Sequence, residues 1–184
     1  MYFNQIVLFC QRAFSFAFVI AILFMICYLI YHKKKQLNVE SKTIFLWTIY
    51  IFYITSLIQI TVIRDWNHFF DYKNYTHTMN TIQLVPFLTT MQSYRQGLDA
   101  FIYHLIGNMI WFLPLGCITP LVHRKFKGFF STVIIGVFLS FFIELFQWVF
   151  NSGVSDLDDI IVNTLGTIVG YGIYICISKK KMVK

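Results

Sequence analysis

A glutamate inside an apolar run is the first residue that needs a reason. Glu144 is the only charged residue between Phe129 and Phe150. A carboxylate at the centre of a membrane helix costs about 2.5–3.5 kcal/mol on insertion scales, so such a group faces protein or water and marks function by default. Its surroundings are polar too. Ser140, Glu144, Gln147 and Asn151 are spaced four, three and four apart, which places them on one helix face. A second set follows in the next apolar run: Asp156, Asp159, Asn163, Gly166 and Gly170, spaced three, four, three and four. Carboxylates gathered at one depth could hold a hard divalent cation through oxygen, or divide acid and base roles between them. No nucleophile stands out beside them, which favours binding over catalysis. The five histidines are scattered without metal-ligand spacing, and the four cysteines lie singly in apolar runs, so neither type makes a metal site or a disulfide framework.

Such a cluster needs helices that span a bilayer, and the composition supplies them. Residues are 58% apolar and only 12% charged, and the mean hydropathy is +0.65. A soluble domain carries about 25% charged residues. Five apolar runs are legible, at about 6–31, 44–63, 101–122, 129–150 and 160–178. The first is too long for a signal-peptide core and has no small-residue cleavage site. The predicted fold is therefore an all-α, polytopic membrane helix bundle with about five transmembrane helices.

The net charge of +7 reports topology. Of the fifteen Lys and Arg, eleven sit in three clusters at run ends: Lys33, Lys34, Lys35 and Lys42; Arg124, Lys125 and Lys127; Lys179, Lys180, Lys181 and Lys184. All three clusters fall on one side, and Asp156, Asp158 and Asp159 fall on the other. By the positive-inside rule the N-terminus lies outside and the C-terminus in the cytoplasm. A basic stripe for nucleic acid is absent, and the expected contact is membrane lipid. Residues 1–43 read as a transmembrane helix plus a basic cytoplasmic loop, 44–178 as the main membrane domain with an outer loop at 64–100, and 179–184 as a basic tail.

This orientation gathers Asn108, Ser140, Glu144, Gln147, Asp156, Asp159 and Asn163 toward the outer half of the bilayer. Arg64 and Arg12 are the candidate counter-charges. Plainer roles stand beside these. Ser155-x-x-Asp158 reads as a capping box, and acids in a first helical turn suit the macrodipole. Gly166 and Gly170 form a small-x-x-x-small pair for close helix packing. Pro114 and Pro120 should kink the third span.

The arrangement resembles a known family, the VanZ-like domain. The resemblance rests on Asn108-x5-Pro114-x-Gly116, Ser140-x3-Glu144-x2-Gln147, and Asp156-x2-Asp159-x3-Asn163-x2-Gly166-x3-Gly170. Leu84-x-Pro86-Phe87 in the outer loop matches the family's short Pro-Phe motif. It covers about Trp47 to Ser178. Gln83 stands where Asn is expected, and Val154 where many members carry Arg.

The resemblance implies a bacterial plasma-membrane protein. It also implies a link to resistance to teicoplanin, a glycopeptide with a fatty acyl tail. With the polar cluster open to the outer side, the expectation is reduced susceptibility by binding or altering an envelope component at the outer leaflet, the partner being a lipid-linked component or the lipoglycopeptide itself. Two other expectations follow from the residues: a membrane enzyme acting on a lipid-linked substrate through the carboxylates, and a small transport or partner subunit.

Overall fold

The computed structural model describes residues 2–38, 40–63, 82–150 and 152–182, the side chains of 2–9, 124 and 180–182 apart. The architecture is all-α. Five described helices are long and apolar enough to cross a membrane, each at least 21 residues, against the roughly 20 that a bilayer core requires. The chain is a multi-pass membrane protein. It divides into two compact units, residues 1–66 and 67–184.

The first unit is a helical hairpin of α1 (Tyr2–Lys34) and α2 (Ser41–Thr61). Ala13, Ala17 and Ala21 form a buried stripe four residues apart on α1. Ring pairs join the two helices, with centroids 6.1 Å apart for Phe14 and Phe52 and 6.3 Å for Phe24 and Trp47. His32, Lys33 and Lys34 close the last turn of α1, where cations suit the negative end of the helix dipole.

The second unit begins with β1 (Ile82–Gln83) and α3 (Leu88–Gln96). Then come α4 (Leu98–Val122), a 3-10 turn (Arg124–Phe126), α5 (Phe129–Val149), β2 (Ser155–Asp156) and α6 (Leu157–Met182). Its centre is the α4–α6 pair. Gly166 faces the Met109 backbone, Gly170 faces Leu113, and Gly116 faces Thr167 and Tyr171. Positions advance together along both helices, so the pair is parallel. Without side chains at these glycines the two backbones touch, which is how helices gain contact in a solvent as apolar as their own surfaces.

Helix α5 runs antiparallel to α6. Gly136 meets Thr167, and Ser140 meets Asn163. Its inward stripe is Thr132, Gly136, Ser140, Ile143, Glu144 and Gln147, while Phe130, Phe138 and Phe141 point outward. Small and polar groups inside, with large apolar groups outside, are what lipid selects. Helix α4 continues through Pro114 and Pro120.

The polar segment differs from the expected loop over its described part. Residues 88–96 are helical, and α4 begins at Leu98. Gly97, at φ +138°, separates the two helices in a conformation that other residues rarely adopt. Helix α3 has no capping side chain of its own. Its cap comes from α6, so no local pattern announces it.

Candidate functional site

The polar residues meet at the end of unit 2 opposite the basic Arg124–Phe126 turn. Two-residue strands β1 and β2 pair there in parallel, Ile82 opposite Ser155 and Gln83 opposite Asp156. The segment before α3 is thus fastened to the start of α6. Three carboxylates reinforce this junction, each with a different job.

Glu144 is 3% exposed. One of its oxygens accepts the Asp156 backbone N–H at 2.8 Å, which locks the turn between α5 and α6. Asp156 in turn accepts the Asp158 N–H at 2.8 Å. It sits just before Leu157, so Asp156 is the N-cap of α6. This corrects the capping box read from sequence. Ser155 belongs to β2 and Asp158 turns elsewhere, because the strand pairing moves the helix start one residue along.

Asp158 is 1% exposed. Its carboxylate accepts the backbone N–H of Phe87 through one oxygen and that of Thr90, at 2.9 Å, through the other. These donors are first-turn N–H groups of α3, which have no partners within the helix. Phe87 takes a left-handed conformation, φ 62°, an uncommon one for a bulky residue. The Pro-Phe motif and the Asp-rich motif are therefore two halves of one clamp. The clamp leaves Leu84, Val85 and Phe87 at 70%, 56% and 60% exposure, an apolar lip beside the polar cluster. Gln83 bends that lip by accepting the Val85 N–H at 3.0 Å.

Asp159 faces α4. Asn108 donates to it at 2.6 Å, and His104 Nδ1 lies 3.7 Å away. His104 Nε2 is 3.5 Å from the Thr90 hydroxyl. Deeper in the bundle, Asn163 donates to Ser140 at 2.8 Å, and Thr167 donates to the Asn163 carbonyl. Gln147 is buried at the same end as Glu144 and Asp156.

The structure thus joins Asn108 with Asp159, Ser140 with Asn163, and Glu144 with Asp156, and adds Thr90, His104 and Asp158. His104 lies one turn before Asn108 on the same face of α4, a spacing that sequence reading could have used. Thr90 has no such signal. Of the candidate counter-charges, Arg12 is an exposed residue of the first unit, and Arg64 lies outside the described residues, as does Asn151. Among the described residues, no three His, Cys, Asp or Glu side chains converge as a metal ligand set would.

No solved structure matches the chain. The protein VanZ of Enterococcus faecium is 28% identical over 122 residues, covering 66% of this chain and 68% of that protein. The VanZ/LLP1 family profile matches residues 47–178, a span that takes in α3 to α5, most of α6 and every side chain of the clamp. On that match the chain belongs to the VanZ/LLP1 family.

Proposed function

We propose that this protein lowers susceptibility to teicoplanin-type lipoglycopeptides by binding or altering an envelope component at the outer leaflet of a bacterial plasma membrane. The observation that carries the reading is the clamp itself, which holds an apolar lip at the rim of a buried polar cluster. Family membership supports it. So does the charge pattern, since the basic turn at 124–127 lies at the opposite end of the unit and the positive-inside rule assigns that end to the cytoplasm. The N-terminus is then outside and the C-terminus inside. A lip of Leu, Val, Pro and Phe at this depth suits a ligand that is part lipid and part polar.

The test compares labelled teicoplanin bound by cells that carry the protein, the empty vector, or the Glu144→Ala and Asp159→Ala variants at matched membrane levels. Cells with the protein should bind less label than empty cells, and both variants should return toward the empty-cell value. Equal binding by all four sinks the proposal.

One arrangement favours a second reading, a membrane enzyme. The Thr90 hydroxyl, the His104 ring and the Asp159 carboxylate stand in the order of a base-activated hydroxyl. With Nδ1–H toward Asp159, Nε2 faces Thr90 as an acceptor. The separations are loose, and such contacts tighten when substrate binds. Purified protein incubated with undecaprenyl-linked and phospholipid substrates, with and without magnesium, should then show turnover that His104→Gln abolishes. Turnover that survives His104→Gln, or none at all, removes this reading.

A further inference from the structure

Beside the clamp lies a groove that none of the hydrogen bonds above fills. It encloses about 360 Å³, within the roughly 300–1,000 Å³ of small-ligand sites. Phe141, Leu145 and Trp148 of α5 form one wall, Ile160 of α6 forms the other, and Ile82 and Leu84 cover the top. Glu144 and Asp156 mark its polar edge.

We infer that this groove holds one acyl chain of a membrane lipid, with the headgroup left at the Glu144–Asp156 edge. The inference rests on the proposed reading of this end as an envelope-facing site, and it names the chemistry that enters it.

Three observations point to that occupant. First, both walls belong to membrane spans, so the medium meeting them is hydrocarbon. Phe141 is 49% exposed on the outward face of α5, which opens the groove sideways to lipid. Second, the walls are aromatic and aliphatic, and a chain lying on them leaves no polar group unpaired. Third, the polar edge lies at the span ends, where Trp148 suits the headgroup boundary.

The lip then has a role in selection. Ile82 is fixed by the strand pairing, and Leu84 follows it before the clamp. The roof of the groove is therefore set by Asp158, through the α3 N-terminus, without Asp158 touching the chain.

The experiment uses the full chain in lipid nanodiscs containing phosphatidylethanolamine with a diazirine at mid-chain on one acyl group. After illumination, labelled peptides are mapped and quantified as the probe fraction is raised. Labelling at Leu145, Ile160 and Ile82 should be several-fold above that at Phe130 and Phe138, and should saturate while the latter rises in proportion. Leu145→Trp, or Ile160→Phe should the first fail to fold, should drop groove labelling to the level of Phe130. Equal, unsaturating labelling at all these positions means annular lipid only and overturns the inference. Crosslinked dimers of the chain through the groove residues mean that a second copy covers it, and overturn it too. Teicoplanin binding by cells carrying the parent protein, against empty-vector cells, separates the two proposals. Saturable labelling together with teicoplanin binding equal to that of empty-vector cells removes the proposed function and keeps the lipid site. The reverse result removes the lipid site alone.

Discussion

Gly170→Leu should yield no folded, monodisperse protein in detergent, and Gly116→Leu should do the same. At Gly170 even a single added carbon meets the Leu113 carbonyl group and comes within 3.2 Å of the Cys117 nitrogen. At Gly116 it meets the Thr167 carbonyl and lies 2.7 Å from the Tyr171 nitrogen. These neighbours are backbone atoms inside a helix and cannot swing aside as a side chain could. Overpacking in an ordinary core costs about 1–3 kcal/mol. Here the whole α4–α6 contact must open, and that contact positions Asn108 against Asp159. Size-exclusion chromatography of a fluorescent fusion reads the outcome directly. Gly172→Leu is the matched control, because a side chain there meets nothing within 4 Å. A folded Gly170→Leu protein would show that close backbone approach does not hold this pair together.

Asp158→Ala should release α3 while leaving the spans assembled. The substitution strips the Phe87 and Thr90 N–H groups of their acceptor. Hydrogen bonds to a charged group contribute about 1.5–3 kcal/mol each, so the loss of both should raise amide exchange in 84–96 by roughly two to four orders of magnitude. Exchange in α4 and α6 should stay close to the parent's. Asp158→Asn keeps one acceptor oxygen and should fall between the two. Hydrogen exchange with mass readout in nanodiscs gives each segment separately. Unchanged exchange at 84–96 would mean that the strand pairing of Ile82 with Ser155 suffices to hold the segment.

Much of this was legible in the residues. The five spans follow from hydropathy, because lipid requires long unbroken apolar runs. The pairing of the α5 and α6 stripes follows from their spacing and the short turn between them, and Ser140 with Asn163 realises it. Gly166 and Gly170 lie against the Met109 and Leu113 backbone, a close approach of the kind a small-x-x-x-small pair allows. What sequence patterns do not carry is contact between distant segments. Asp158 and Phe87 are 71 residues apart, and nothing near either one names the other. Asp158 therefore reads locally as a helix cap, and α3 reads as loop. The same limit hides His104, whose partners Thr90 and Asp159 come from two other helices. Glu144 is the opposite case. Its burial is evident at once, but its role as an acceptor for Asp156 depends on a turn that only the folded chain defines.

The clamp also sets a timetable. Synthesis runs at about 5–20 residues per second, so the 71 residues between Phe87 and Asp158 separate their appearance by roughly 4–14 seconds. By the end of that interval the Pro-Phe segment has left the ribosome, while the acid that fastens it is only then being made. The lip is therefore the last part of the domain to be set, and it waits for the final span to enter the membrane. A ribosome stalled before residue 158 would present the Pro-Phe segment as a loose flap. Any chaperone or insertase that guards exposed apolar segments would meet this chain there, in the seconds before its own last helix closes the latch.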